Sequence, residues 1–187
     1  MARIEPLEAP FAPELQEQFD RLMPQGMAPL LLFRSVARSP RAWNKLRRGS
    51  LLDDGPLSLR EREIVINRTC ARTGCEYEWG VHVTLFAGSA RLTPEEVRAT
   101  TELPVSLDLW SPREVALIAA VDGLHERATL THAEFRQLQE HYRDDQILEV
   151  LMLAGFYRMV SYLANGLALP LEAGCARFPV SVQEVGL

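Results

Sequence analysis

The sequence has 187 residues, 47% of them hydrophobic, and a formal net charge of -5 at pH 7. This length fits a single domain with room for a buried core. Since it has no Lys/Arg-rich run, no stretch of eighteen apolar residues and no apolar N-terminal signal segment, we expect a cytoplasmic protein with reduced cysteines that binds neither nucleic acid nor membrane.

The spacing of polar and apolar residues predicts helices along most of the chain. Convincing alternation of the kind seen in β-strands is absent, so the expected fold class is all-α. We expect one domain over residues 1–187, with a helical arm at about 1–38, a core at about 39–170 and an irregular tail at 171–187. The predicted helices are 13–23, 27–37, 40–52, 59–73, 75–89, 94–101, 112–127, 132–142 and 144–166.

Four of these helices begin with the pattern Ser/Thr-x-x-Glu. In this capping box, the hydroxyl accepts a hydrogen bond from a free backbone N–H, and the Glu reaches back to the first residue. The four pairs are Ser58 with Glu61, Thr93 with Glu96, Ser111 with Glu114 and Thr131 with Glu134. The last helix, 144–166, is apolar around most of its circumference, which predicts burial in a core or an oligomer interface.

The segment "CARTGCEYEWGVH", residues 70–82, concentrates reactive side chains around a glycine. Gly74 can take the left-handed conformation that ends a helix, which places Cys75 near the start of the next helix. The helix dipole there favours a thiolate, whereas the charges of Glu76 and Glu78 oppose it. The net effect on Cys75 is left open by the sequence.

Helical geometry places Cys75, Glu78 and His82 on one face of the second helix. Glu78 and His82 are four residues apart and can touch, whereas Cys75 and His82 are seven apart, about 10 Å along the axis. His82 would therefore act on Cys75 only through Glu78 or a water molecule. The aromatic residues Tyr77, Trp79 and Phe86 are expected to form the pocket wall.

If the two helices form an antiparallel hairpin around Gly74, Glu63 approaches His82 and can raise its basicity. Cys70 lies within the first helix, and a buried inert thiol is a more frequent role there than a resolving cysteine. Glu63, Glu78 and His82 could hold a divalent metal, but no further ligands are evident. We therefore predict no metal and no cofactor.

The string "LREREIVINRTCARTGCEYEWGVH" resembles the carboxymuconolactone decarboxylase-like proteins, which include alkyl hydroperoxidase D and peroxidase-related proteins. The later string "AGFYRMVSYLANGLALPLE" is similar to the closing helix of that family. The resemblance implies an all-helical bundle centred on a helical hairpin, and a homo-oligomer.

The peroxidase members of this family carry a Glu, then a Cys-x-x-Cys pair twelve residues later, then a His. Glu63, Cys75 and His82 match this pattern, whereas Glu78 stands in place of the second Cys and Tyr77 where those members often have His. In those members the second Cys is the thiol that the His and Glu activate. The decarboxylase branch uses no cysteine pair and keeps an acid–base His.

Three functions follow from this comparison. The first is a peroxiredoxin-like antioxidant peroxidase, in which Cys75 attacks a hydroperoxide, Glu63 and His82 relay protons, and Cys70 or another thiol resolves the product. The second is a cofactor-independent lyase or isomerase acting on a carboxylated lactone, with His82 as acid and base. The third is a non-catalytic oligomeric binding protein. A thiol reductant is expected as a partner only in the first case.

Overall fold

A computed structural model describes residues 2–179, and within these residues the chain is helical with no β-strand. All nine predicted helices are present, which confirms the all-α prediction. They are α1 (Pro13–Leu22), α2 (Leu31–Val36), α3 (Pro40–Leu46), α4 (Leu59–Arg72), α5 (Glu76–Phe86), α6 (Pro94–Ala99), α7 (Pro112–Arg127), α8 (His132–Gln139) and α9 (Asp144–Gly166), with a short 3-10 turn at Leu107–Leu109.

Helices α2 and α3 are shorter than predicted. Helix α2 begins at Leu31 rather than at residue 27, because Pro29 disfavours the helical conformation of the residue before it. Helix α3 ends at Leu46 rather than at residue 52, and Leu51 lies beyond it with a positive φ of 51°. A positive φ is incompatible with a continuing right-handed helix.

Helix α4 is the centre of the bundle, where it packs against α5, α7 and α9. Its residues Ile64, Val65 and Ile66 are fully buried. Three consecutive buried residues on one helix require neighbours on several sides, since successive side chains are separated by about 100°.

All four predicted capping boxes form, and the Glu of each also accepts a hydrogen bond from an Arg of a neighbouring helix. The Glu96 and Glu114 carboxylates each bind their own helix start and also accept hydrogen bonds from Arg60 of α4. Glu61 likewise caps α4 and accepts a bond from Arg113 of α7 at 2.5 Å. Local capping signals thus also fix the packing of α4 against α6 and α7.

Helix α9 lies against α4 and α5 on one side and is exposed on the other. Val150, Leu153 and Tyr157 are buried, whereas Met152 and Tyr162 are 58% and 61% exposed. Among the described helices α9 alone has the length and apolar composition of a membrane span, with 44% of its apolar window buried. Its inner face is a wall of the core, as predicted.

The tail from residue 171 to residue 179 is irregular and runs across α5. The backbone N–H of Ala176 donates to Thr84 Oγ1 at 2.8 Å, and that of Phe178 donates to Glu76 Oε1 at 3.0 Å. A Cβ at Gly80 would lie 2.3 Å from the Ala176 carbonyl oxygen, so only glycine allows this approach. Residues 180–187 of the predicted tail lie outside the described residues.

Candidate active site

Helix α4 ends in a Schellman motif that brings two cysteines together. Gly74 has a positive φ of 62°, its N–H donates to the Ala71 carbonyl, and the Cys75 N–H donates to the Cys70 carbonyl at 2.8 Å. This pair of hydrogen bonds defines the motif, in which the side chains at the positions of Cys70 and Cys75 commonly make contact. The Ser161 hydroxyl lies near both thiols, where it donates to the Tyr157 carbonyl and accepts a hydrogen bond from Thr73 Oγ1.

The environment of the two thiols disfavours thiolate formation. Burial raises the pKa of Cys75, and the Glu78 carboxylate raises it further, although the backbone N–H groups of Glu78 and Tyr77 act in the opposite direction. Burial also raises the pKa of Cys70 well above its ordinary value. Cys75 lies directly before the first residue of α5, as predicted. The positive potential at the start of that helix does not offset the effect of burial, so the pKa of Cys75 remains raised.

The α4–α5 hairpin brings Glu63 and Glu78 to opposite nitrogens of His82. The distance from His82 Nδ1 to Glu63 Oε2 is 2.9 Å, and that from His82 Nε2 to Glu78 Oε1 is 3.4 Å. All three side chains are buried, with Glu63 fully so. The predicted contact between Glu63 and His82 is therefore present, and Glu78 completes a row of three titratable groups.

Two opposing effects set the charge of His82. Burial lowers the pKa of this imidazole, but the carboxylates of Glu63 and Glu78 outweigh it and raise the pKa to about 9. At neutral pH the row therefore holds a proton on or next to His82. Glu63 Oε1 and Glu78 Oε2 are buried and have no hydrogen-bond partner within residues 2–179.

Glu78 and His82 line a cavity of about 310 Å³ between the arm and the core. Its walls are mostly apolar, and the other polar side chains that reach it are Arg47, Ser50 and Tyr157. Cys70 and Cys75 are not among its lining residues. Large contributions to the walls come from Met23, Leu32, Trp43, Phe86, Phe156 and Tyr157.

Of the three aromatic residues predicted for the pocket wall, Phe86 lines this cavity, whereas Tyr77 and Trp79 do not. Trp79 points to the opposite side of α5, where its Nε1 donates to Thr100 Oγ1 at 2.9 Å. Tyr77 points toward the tail and donates from its hydroxyl to Glu172 Oε1 at 2.5 Å. Both rings have polar partners away from the cavity, which explains their orientation.

No motif in the sequence indicates that α3 and the turn after it form part of the cavity wall. Trp43 and Arg47 reach it from α3 and the turn that follows, more than thirty residues from Glu78. Within the part of the chain that the structure describes, no group of three His, Cys, Asp or Glu side chains is arranged to hold a metal ion.

The comparison with solved structures gives matches over almost the whole chain. At 18% identity and a TM-score of 0.81, the chain is similar to an uncharacterized peroxidase-related protein with an alkylhydroperoxidase AhpD core from Ralstonia eutropha JMP134, with 92% of this chain and 93% of that chain covered. A peroxidase-related protein from Silicibacter sp. TM1040 matches at 17% identity and a TM-score of 0.78, with 92% of each chain covered.

A third similar structure is the debrominase Bmp8, solved as a cysteine-to-alanine variant in complex with 2,3,4-tribromopyrrole. It matches at 16% identity and a TM-score of 0.74, with 91% of each chain covered. No curated protein sequence matches significantly. The sequence model of the carboxymuconolactone decarboxylase family matches residues 37–122, which contain α3 to α6, most of α7 and the row of Glu63, Glu78 and His82. Residues 37–122 therefore resemble the carboxymuconolactone decarboxylase family, and the described residues have the AhpD-like helical fold.

Proposed function

We propose that this protein is a cofactor-independent acid–base enzyme, a lyase or isomerase that acts on an enolisable carbonyl compound such as a carboxylated lactone. The observation that carries this proposal is the position of Glu78. Glu78 lines an apolar cavity, and its Oε2 is buried without a hydrogen-bond partner among residues 2–179. A desolvated carboxylate with a free oxygen is suited to take a proton from carbon.

The reaction would begin with proton transfer. Glu78 takes the proton next to the carbonyl group, and the C–H electron pair moves into the resulting enolate. The protonated imidazole of His82 stabilises the negative charge, while Glu63 holds the ring in place through Nδ1. The proton then returns from Glu78 to the same or a neighbouring carbon. The Bmp8 complex with a brominated pyrrole supports a compact ring compound as the ligand of a cavity in this fold.

The test is solvent-deuterium incorporation into a panel of small carboxylated lactones, followed by mass spectrometry. We expect exchange with the native enzyme and a loss of at least about 100-fold in Glu78→Gln and His82→Ala, since general acid–base catalysis contributes about 10²–10⁴ in rate. Cys75→Ser should keep most of the exchange. Loss of exchange in Cys75→Ser, with retention in Glu78→Gln, would contradict the proposal.

The second candidate is a single-thiol antioxidant peroxidase. The backbone N–H groups of Tyr77 and Glu78 act to lower the pKa of the Cys75 thiol, although burial outweighs them, and Cys70 lies across the Schellman motif as a resolving thiol. Cys75 would attack the hydroperoxide, giving a sulfenate and an alcohol, and Cys70 would then form the disulfide and release water. A sulfenate trapped at Cys75 after hydroperoxide treatment, with turnover lost in Cys75→Ser, would favour this candidate.

We also expect the protein to function as a homo-oligomer. Leu148, Met152, Met159 and Tyr162 lie on the outer face of α9 and are exposed. Their spacing of four, seven and three residues keeps them on one stripe, which a second copy of the chain would cover. Light scattering coupled to size-exclusion chromatography measures this directly. A homo-oligomer that shows neither deuterium exchange nor hydroperoxide turnover would instead support the non-catalytic binding protein.

A further inference from the structure

A second cavity, of about 370 Å³, lies between α4, α7 and α9. Helices α7 and α9 both pack against α4, and residues of all three helices line this cavity. Of the residues that the structure describes, none lines both the second cavity and the cavity of Glu78 and His82. The walls are mostly apolar, with Val121, Leu124 and Leu151 as their larger side chains.

The second cavity contains one arginine that has no carboxylate partner. Arg158 of α9 lines the cavity and forms no salt bridge within residues 2–179. Its Nε donates to the Tyr162 hydroxyl at 2.7 Å, and its Nη1 donates to the His125 carbonyl at 3.1 Å. These contacts hold the guanidinium in place and use two of its five N–H groups. The other three, on Nη1 and Nη2, are left for an anion.

The carboxylates of α7 closest to His125 in the sequence pair with other arginines. Asp122 pairs with Arg68 at 2.7 Å and with Arg72 at 3.2 Å. Glu126 pairs with Arg72 at 2.7 Å. The charge of Arg158 is therefore not neutralised by an ion pair in the described part of the chain, and an anionic ligand would neutralise it.

Two more residues of the second cavity have buried polar atoms without a hydrogen-bond partner in residues 2–179. These atoms are Thr69 Oγ1 and His125 Nδ1. Thr69 is only 5% exposed, and a buried hydroxyl without a partner destabilises the folded state. Burial and the charges of Arg72 and Arg158 lower the pKa of His125, so its ring is neutral at pH 7 and Arg158 is the cation of the cavity.

We propose that the second cavity is a binding site for a small aliphatic monocarboxylate, with the carboxylate on Arg158 and the chain against Val121, Leu124 and Leu151. A guanidinium binds a carboxylate through two parallel hydrogen bonds. One unpaired cation matches one negative charge, whereas a phosphate dianion would bring a second charge without a partner. The aliphatic chain gains free energy from burial against the apolar walls. This site does not depend on the proposed acid–base function.

Binding is tested with hexanoate, which has one negative charge and an aliphatic chain. NMR of the imidazole protons locates the site, since hexanoate should shift the signals of His125 and leave those of His82 in place. A shift at His82 alone would overturn the proposal, because hexanoate would then occupy the cavity of Glu78.

Two analogues of hexanoate test the charge of the ligand. Hexanamide should bind at least about tenfold more weakly, because it loses the charged partner of Arg158. Equal binding of hexanamide and hexanoate would overturn the proposal. Tighter binding of hexyl phosphate than of hexanoate would overturn the assignment to a monocarboxylate.

The variant Arg158→Gln should raise the Kd of hexanoate at least about tenfold for the same reason. The matched control is Arg136→Gln, which removes the same charge from an exposed position on α8 and should leave the Kd unchanged. Equal weakening in the two variants would overturn the proposal, because the effect would then come from net charge. Light scattering should give the native mass for Arg158→Gln. A lower mass would also overturn the proposal, since Arg158 would then bind a second copy of the chain.

Thr69→Val separates a binding role of this hydroxyl from a structural one. It removes the unpartnered hydroxyl and keeps the shape of the side chain. We expect the ligand-free variant to have a higher Tm and a higher Kd for hexanoate, because the hydroxyl destabilises the empty site and contacts the ligand. A lower Tm with an unchanged Kd would show that the hydroxyl serves the fold and would remove Thr69 from the site.

Discussion

Residue 78 determines which chemistry the row of buried groups can perform. In the peroxidase-type proteins that the sequence resembles, this position is a cysteine next to the His, and here it is a glutamate 3.4 Å from His82 Nε2. A carboxylate can accept and return a proton, but it cannot take the oxygen atom of a peroxide. The remaining thiol at this end of the hairpin, Cys75, is buried and does not reach the cavity.

The sign of the His82 pKa shift gives a pH-dependent prediction. The pKa of His82 rises from 6.5 to about 9 on folding, so its protonation stabilises the fold fully below pH 6.5, and this contribution is lost as pH rises through about 9. The free energy of unfolding should therefore fall between these pH values, by at most about 3 kcal/mol. In Glu63→Gln the fall should be smaller, because the variant loses one of the two carboxylates that raise the pKa.

Urea unfolding at several pH values measures this slope, and NMR of the imidazole protons reports the pKa of His82 directly. His132, which is exposed on α8, provides the control. His132→Gln should keep the native slope. An unchanged slope and an unchanged His82 pKa in Glu63→Gln would show that the 2.9 Å contact does not set the charge of the ring.

At the scale of elements, the features that could be predicted from the sequence are those set by neighbours along the chain. The capping boxes at Ser58 and Thr93 join residues three positions apart, and the contact between Glu63 and His82 follows from a hairpin around Gly74. Each depends on local geometry that a helix or a glycine fixes by itself.

The side chains of α5 that point toward the cavity could not be predicted from local sequence in this way. Tyr77, Glu78, Trp79, Val81 and His82 are all buried, so the helix has neighbours on nearly every side and its apolar periodicity does not mark the cavity. The orientation of Trp79 depends on Thr100, a residue on another element. The part of the cavity wall that α3 forms likewise depends on packing between distant parts of the chain.

The break between α4 and α5 gives a prediction for Gly74. A Cβ at this residue would have nothing within 4 Å, so the cost of Gly74→Ala should come from the positive φ of 62° alone. We expect a loss of about 1–2 kcal/mol in the free energy of unfolding. Gly74→Asn should lose less, because Asn tolerates the left-handed conformation better than Ala.

Denaturant unfolding of the two variants measures this difference. If Gly74→Ala and Gly74→Asn lose equal stability, the cost does not come from backbone conformation. The helix break would then depend on contacts of the glycine rather than on its φ.

At the scale of the whole molecule, one carboxylate joins the arm, the hairpin and the tail. Glu172 Oε1 accepts hydrogen bonds from the Leu31 backbone N–H and the Tyr77 hydroxyl, each at 2.5 Å. Tyr77 in turn accepts a hydrogen bond from the Leu32 N–H at 3.0 Å. Because Leu32 lines the cavity, this junction also holds the arm where it forms the cavity wall.

Removal of the Glu172 carboxylate should therefore make local opening of the arm more frequent, while the rest of the bundle stays folded. Glu172→Ala leaves two donors without a partner, and we expect it to lower the free energy of unfolding by about 1–3 kcal/mol. Amide hydrogen exchange should accelerate at Leu31 and Leu32, while the centre of α4 stays protected, because local opening needs less free energy than global unfolding. Glu8→Ala is the control, since it removes an exposed carboxylate that pairs with Arg34 of the same arm and should cost less than about 1 kcal/mol. Equal exchange at Leu31 in both variants would mean that the arm is held by its apolar contacts alone, and the cavity wall would then be independent of the tail.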